Sequence, residues 1–450
     1  MGKAEKKQQQ QEVQNLIPGL PDEIAMECLI RVPYKFHNDL KSVCQRWLNL
    51  ISSHSFYRER IRSGKAEHLV CQVQPLPLSP PNPKDSSSAT THLVSDSAAK
   101  ITSTKKDQQQ DDDDHELHQQ RQEVHRTPLQ YGLTIFNASN GTWERIRPHV
   151  GRIPMFCQCV AVPASRKLLL IGGWDPITLE PVPNVYVLDM VNNSSRWRRV
   201  KPMSVARSFF ACAVVGASTV CVAGGHDGQK NALKSAEVYD VEADEWRMLP
   251  EMDEERDECQ GVCLEGDRFF VVSGYGTESQ GRFKPDAECY DSKTGSWSKF
   301  DHVWPFPSLS PRGSTATITS NRLQQHQWLW FLGKEQQQNG EVVEGKIVSS
   351  IVPLPKSVTE GSSSPCVSVT TLHNSQQQQK VFVMTGNGGR GCSSSSSSAA
   401  ALSSFICNEC EGEGAFIMER DMSNGNIKWD HVHLPVGFSG FPCSASFLLI

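Results

Sequence analysis

What the chain lacks narrows its function before any motif is read. No apolar run is long enough to cross a bilayer. The longest, Ser208 to Ala223, is broken by Gly216-Ala217-Ser218, which reads as a turn between two strands. The opening MGKAEKKQQQQ lacks the apolar core of a secretory signal, and Lys6 stands where a myristoylation signal wants Ser or Thr. Basic excess is absent: the net charge of -5 argues against nucleic acid as a partner. Paired cysteine spacing is also missing. The 15 cysteines are odd in number and scattered through 450 residues, a length that builds a large core without disulfides. Reduced thiols in cytoplasm or nucleus follow as the expectation.

What is present divides the chain by composition. Residues 1–13 are a charged, Gln-rich tail, and residues 14–72 carry apolar positions at helical period. Residues 73–130 hold PLPLSPPNPKDSSS and DQQQDDDD with few apolar side chains, so they are expected to be a disordered spacer. The run Asp111–Asp114 reads as a solvated acidic loop rather than a cation site. Residues 131–450 look like short strands and turns. The runs Gln336–Gln338, Gln376–Gln379 and Ser393–Ser398 inside them read as expanded surface loops.

That last region repeats. KLLLIGGWD (167–175), TVCVAGGHD (219–227) and RFFVVSGYG (268–276) each run four or five apolar residues into a small residue and Gly. A second strand follows each (NVYVLDM, AEVYDVE, AECYDSK), and then a tryptophan strand with Trp197, Trp246 or Trp297. Gly172 to Gly224 is 52 residues and Gly224 to Gly274 is 50, the period of kelch-type propeller blades. QWLWFLGK (327–334) and KVFVMTGNG (380–388) are weaker copies. Inner strands covered on both faces read as continuous apolar runs. Gly after the second strand permits a turn where a side chain would clash. Tyr and Trp fill the space between blades and reach the backbone with their polar tips. YGLTIFNASNGTWERI (131–146) and FSGFPCSASFLLI (438–450) each look like half a blade, so the chain ends should join to close the ring. Whole blades beginning near Arg152, Arg207, Arg256, Arg312 and Pro365 bring the count to six. The copy from Arg312 is degenerate, which leaves five or seven open.

The stretch LPDEIAMECLIRVPYKFHNDLKSVCQRWLNL (20–50) stands apart. Pro21 sits near a helix start with Asp22 and Glu23 in the first turn. Ile24, Cys28 and Leu29 give one apolar face, and Pro33 ends the helix. Leu40, Val43, Cys44, Trp47, Leu48 and Ile51 give a second amphipathic helix. So small a unit buries little by itself and commonly leans on a partner.

Leu20-Pro21-Asp22-Glu23, Val32-Pro33 and Val43-Cys44-Gln45-Arg46-Trp47 resemble an F-box, with Val32 at a position the family usually gives to Leu. The order F-box, spacer, kelch propeller resembles plant F-box/kelch-repeat proteins. The resemblance implies a small all-α F-box followed by an all-β kelch propeller. The F-box would dock on a Skp-type adaptor and through it a cullin–RING ubiquitin ligase, with Leu20, Pro21, Ile24, Val43, Cys44 and Trp47 forming the docking surface and the core beneath it. The propeller would hold a protein marked for degradation. Similar proteins bind phenylalanine ammonia-lyase, which bears on phenylpropanoid regulation, or cytokinin response regulators. A helical cap packed on the propeller is the alternative for the small unit, and a scaffold without degradation is the alternative for the whole.

No catalytic constellation emerges. A copper–radical site needs converging Tyr and His. Of the seven tyrosines only Tyr131 and Tyr275 fall outside the repeat and F-box positions, with no His arrangement beside them. Cys407 and Cys410, with Cys392, His431 and His433, make at most one zinc knuckle in a Ser- and Gly-rich insertion, where a structural site wants paired knuckles. No cofactor, metal or enzymatic activity is expected. Arg207, Arg256 and Arg312 each precede a blade's first strand. The resemblance implies that such arginines bind a protein target, together with the loops that carry Trp174, Asp175, His226, Asp227 and Tyr275. Arginine suits bidentate carboxylate contacts, and aromatic neighbours supply anchors. The competing reading is that each Arg bonds neighbouring backbone. The spacer predicts that the two modules fold independently.

Overall fold

The computed structural model describes residues 15–76, 130–146, 151–191, 197–264, 266–320, 325–332, 342–344, 347–359, 366–374, 378–386 and 412–450. The tail 1–13, nearly all of the expected spacer, the Asp111–Asp114, Gln336–Gln338 and Ser393–Ser398 runs, and Cys392, Cys407 and Cys410 lie outside these residues.

Four short helices come first: α1 (Asp22–Leu29), α2 (His37–Val43), α3 (Gln45–Ile51) and α4 (His54–Arg62). The expected second amphipathic helix is two. Cys44 is extended (φ -161°, ψ 164°) and breaks it into α2 and α3. The first helix ends at Leu29, before Pro33 is reached. Ser53 caps α4 by accepting a hydrogen bond from the Phe56 amide, and Arg60 and Arg62 oppose the helix dipole in its last turn. Ala25, Leu29, Ile30, His37, Ile51, Phe56, Tyr57 and Arg60 are buried.

The remainder is a β-propeller of four-stranded sheets. Six such sheets occur among the described residues. The first joins β1 (His68–Pro75), β2 (Tyr131–Asn137) and β3 (Thr142–Ile146). The second has β4 (Gln158–Val162), β5 (Lys167–Ile171), β6 (Val185–Asp189) and β7 (Arg198–Val200). The third has β8 (Ala211–Val215), β9 (Thr219–Ala223), β10 (Ala236–Asp240) and β11 (Glu245–Met248). The fourth has β12 (Gln260–Leu264), β13 (Arg268–Val272), β14 (Ala287–Asp291) and β15 (Ser296–Phe300). The fifth has β16 (Thr315–Ser320), β17 (Gln325–Leu332), β18 (Val342–Glu344) and β19 (Ile347–Pro353), and the sixth has β20 (Cys366–Asn374), β21 (Gln378–Gly386), β22 (Gly412–Asp421) and β23 (Ile427–Val432). The last strand, β24 (Ser444–Leu449), returns to the first sheet and pairs antiparallel with β1, Val70 opposite Phe447. The first strands β24, β4, β8, β12, β16 and β20 touch in that order, and β20 touches β24.

Three details depart from the sequence reading. The half-blade at 131–146 has a partner strand upstream: β1 pairs with β2, Val70 opposite Phe136. Residues 68–75 therefore belong to the sheet, although the expected helical domain and spacer divided them. The degenerate fifth sheet is irregular in order, because β19 runs parallel to β17 while β18 is a short antiparallel edge. Gln378 and Gln379 begin β21 instead of extending a loop, Gln379 pairing with Arg420.

Tryptophans tie successive sheets together. Trp246 Nε1 donates to the Lys201 carbonyl (2.9 Å) and Trp297 Nε1 to that of Pro250 (2.7 Å), each on the connection from the preceding sheet. Trp143 does the same to His433 (3.1 Å), which follows the sixth sheet. Tyr239 differs from expectation by giving its hydroxyl to the Asp244 carboxylate (2.7 Å), not to backbone.

The helices and the propeller pack as one compact unit, and β1 follows α4 with only residues 63–67 between them. The join is polar and buried. Arg60 donates to the carbonyls of Ile30 (2.6 Å) and Val32 (2.7 Å) and to Glu67 (2.9 Å). The other Glu67 oxygen accepts from Asn137 Nδ2 (2.8 Å) at the end of β2. The Arg166 guanidinium lies 5.0 Å from the Tyr57 ring centroid and reaches His54. Lys41 donates to the Val191 carbonyl. The Arg166 and Lys41 contacts join the helices to turns between strands of the second sheet.

Two expected outcomes follow. Arg60→Ala strands a buried carboxylate, Glu67, and should cost about 3–5 kcal/mol in a denaturant melt of the full chain. His37 bonds Tyr57 Oη and the Val32 carbonyl, and burial with the nearby Arg60 charge holds its pKa down at about 4. Its folded pKa lies below the unfolded value. The stability it permits is therefore full above about pH 6.5 and declines as pH falls toward 4, by roughly 3 kcal/mol. The stability difference between wild type and His37→Gln should change over that window and stay flat above it.

Candidate partner-binding surfaces

Two surfaces stand at opposite ends of the same strands. β4 runs from Gln158 to Val162 and β5 returns from Lys167 to Ile171. The Arg166 end meets the helices, and the Trp174 end forms the other mouth of the ring.

On the helical side, Pro21, Val43 and Cys44 are exposed, and Leu20 and Trp47 are half-buried. Ile24 is 51% exposed and Val43 60%, so apolar side chains on α1 and α2 face water. Trp47 serves differently: its Nε1 donates to the Leu16 carbonyl (2.7 Å), and it anchors the N-terminal segment to α3. Asp22 holds the same segment by accepting from the Leu16 amide (2.7 Å) and Arg46, and these bonds keep its carboxyl below the usual range. Phe36, at 44% exposure, is an apolar surface residue that the helix pattern missed, because it lies in the turn before α2.

At the propeller mouth two of the three expected arginines are out of reach. Arg207 and Arg256 are fully buried. Arg207 donates to the carbonyls of Gly224 (2.9 Å) and Ser235 (2.9 Å) and to Glu237 (3.0 Å). Arg256 donates to the Ser273 carbonyl (3.0 Å), Asp286 (3.0 Å) and Glu288 (2.9 Å). Glu237 also accepts from the amides of Ser204 and Val205, and Glu288 from those of Asp253 and Glu254. Each Arg–Glu pair thus pins the incoming connection to its own sheet. The backbone-bonding reading describes both residues, whose side chains are buried.

Arg312 differs because it sits one place further along. Phe156, Phe209, Glu258 and Gly313 hold the same left-handed backbone (φ 57°, 55°, 50° and 73°) at the entry to successive sheets. Arg207 and Arg256 come two residues before that position, and Arg312 comes one before. Its equivalents are Met155, Ser208 and Asp257. The triplets Arg-Ser-Phe, Arg-Asp-Glu and Pro-Arg-Gly carry this signal in the sequence. Arg312 is only half-buried, its guanidinium 5.2 Å from the Phe209 ring centroid.

Trp174, His226 and Tyr275 do come together with it. They lie in isolated bridges to Met155, Ser208 and Asp257 respectively. Gly225 (φ 81°) allows that closure, since a Cβ there would stand 2.3 Å from the Ser208 carbonyl oxygen. Trp174 Nε1 donates to His226 Nε2 (3.2 Å), so the His226 proton sits on Nδ1 and is given to Asp257 (3.0 Å). The His226 ring stacks on Phe209. Tyr275 Oη donates to Glu258 (3.1 Å). Asp175 and Asp227 spend their carboxylates inside their own turns, Asp175 accepting from Ile177 and Thr178 and Asp227 from Gln229 and Asn231. Sequence reasoning missed Glu258, which its left-handed backbone turns toward this cluster. No metal-holding group of His, Cys, Asp or Glu occurs among the described residues, and every described cysteine is a free thiol. No described helix is long and apolar enough to cross a membrane.

Arg256→Ala should cost about 3–5 kcal/mol by leaving Glu288 and Asp286 without their buried cation. Replacing Arg256, Asp286 and Glu288 together with apolar residues should recover much of that loss in the same melts.

Comparison with known proteins agrees with both halves. Residues 17–59 match the F-box domain and residues 206–253 match the Kelch motif. The chain is 42% identical to F-box/kelch-repeat protein SKIP20 of Arabidopsis thaliana, over 97% of each chain. It is 41% identical to F-box/kelch-repeat protein At2g44130 of the same plant, over 98% of this chain and 97% of that one.

Proposed function

Because the chain belongs to the plant F-box/kelch-repeat proteins, which are non-catalytic adaptors, we propose that it is the substrate receptor of an SCF-type ubiquitin ligase. The F-box implies a Skp-type adaptor as partner. The observation that carries the reading is the apolar exposure of Ile24 and Val43 on α1 and α2. A cap whose only task was to cover the propeller would have no reason to present these to water. Leu20, Pro21, Cys44 and Trp47 complete the docking surface or support it. The adaptor brings the cullin–RING ligase, in cytoplasm or nucleus. The propeller presents a protein target at the mouth formed by Arg312, Trp174, His226 and Tyr275, and the six sheets are its six blades, closed by β1–β3 with β24. On resemblance alone, phenylalanine ammonia-lyase and cytokinin response regulators are the first targets to try.

Ile24→Asp with Val43→Asp should reduce capture by an immobilised Skp-type adaptor more than tenfold, while the thermal midpoint stays within a few degrees of wild type. Unchanged capture by the folded double variant, or no capture of wild type by any such adaptor, sinks the reading in favour of a scaffold without degradation.

A further inference from the structure

The seam between the first and sixth sheets, where the ring closes, is part apolar and part polar. In its apolar part Val70 and Phe136 pack against Leu372, Phe382 and Ala415, with the Phe136 and Phe382 ring centroids 5.1 Å apart. The character changes along β1. Gln72 and Gln74 follow Val70 on the same face of the strand, and Thr134, opposite Gln72, puts β2 on that face too. All three are fully buried. Across the seam stand Met384 and, on β20, Ser368 and Thr370, which pair with Met384 and Phe382 and share their face. Ser368 and Thr370 are buried as well. The seam between the second and third sheets shows the contrast, since Val160, Leu169, Ile171, Val220 and Val222 join across it.

Protein atoms satisfy this polar group poorly. Gln74 Nε2 points at Gln72 Oε1 (3.4 Å), the Phe438 carbonyl (3.5 Å) and Met384 Sδ (3.6 Å), all well beyond the usual distance of about 2.9 Å. Gln72 Nε2 reaches Met384 Sδ at 3.9 Å, and a thioether is a weak acceptor. Gln74 Oε1, Thr134 Oγ1 and Thr370 Oγ1 bond no protein atom among the described residues. Burying such groups without partners is costly. Oxygens left over on β1, β2 and β20 along one seam are what internal water binds, since each such molecule bridges about three buried polar groups.

We propose that this seam is a buried hydration site, in which bound water bridges Gln74 on β1 and Thr134 on β2 to Thr370 on β20. The groups that face it are amides, hydroxyls and a thioether. They suit a neutral molecule that both donates and accepts, and they offer an ion no counter-charge. The first sheet, which joins the two ends of the chain, is then held to its neighbour partly through water, where the second and third sheets interlock by apolar side chains. The inference stands apart from the ligase reading, since it concerns how the ring is closed.

The test compares the full chain with Thr134→Val, Thr370→Val and the double variant. Valine keeps the shape of threonine and removes the hydroxyl. Magnetic relaxation dispersion of the solvent counts water molecules held inside the protein for longer than it tumbles. The double variant should lose at least one such molecule relative to wild type, and its folding equilibrium constant should fall about tenfold in denaturant melts, because the remaining partners lose their bridge. If the double variant does not melt cooperatively, the single variants carry the comparison. An unchanged count of long-lived water overturns the inference. So does a variant more stable than wild type, the result expected if the hydroxyls lie dry and unsatisfied and valine relieves them.

Discussion

Every sheet of this propeller must hand the chain to the next across the end of the ring, and buried arginines make that crossing rigid. Arg207 and Arg256 each bond a small-residue turn, a loop carbonyl or carboxylate and a strand glutamate, while that glutamate takes two amides of the incoming connection. Two charges out of water cost several kcal/mol unless their hydrogen bonds are satisfied. Here most of them are, by groups that must meet for the sheet to form at all. The left-handed residue two places after each arginine, Phe209 or Glu258, then turns toward the channel. The mouth is thus a consequence of the linkage beneath it.

The same device joins the helices to the ring. Arg60 satisfies the carbonyls of Ile30 and Val32 beyond α1 and meets Glu67, which in turn holds Asn137 in the first sheet. β1 follows Glu67 directly and pairs with both β2 and the C-terminal β24. The chain therefore leaves the helices and enters the sheet that joins its two ends. A chain built this way holds its helices and the mouth of the ring at a set separation, with β4 and β5 spanning the distance between them.

Much of this was legible in the residues. The repeat of apolar strand, Gly and Trp locates the second to fourth sheets because both faces of each are buried, and burial writes a period into the sequence. The F-box is legible in its motifs, Leu20-Pro21-Asp22-Glu23 and Val43-Cys44-Gln45-Arg46-Trp47, and not in helical spacing, since Ile24 and Val43 stand exposed. What escaped notice was context. HLVCQVQP is buried on both faces yet sits far in sequence from Tyr131, so its partner is set by ring closure and not by local pattern. Cys44 splits a helix that amphipathicity alone continues. Arg207, Arg256 and Arg312 look equivalent by type, yet a shift of one place turns two into buried ties and leaves the third at the surface. Only the left-handed position after them sets that register, and backbone dihedrals leave a faint mark in composition.

The account's central claim is that helices and propeller form a single body carrying a binding surface at each end. Hydrogen exchange on the full chain tests this most directly. Amides of α4 and of β1 should open together, with the same free energy and the same dependence on denaturant, because Arg60 and Glu67 join them. If α4 exchanges through its own low-energy opening while β1 and β2 stay protected, the helices are a separate module and the account is wrong.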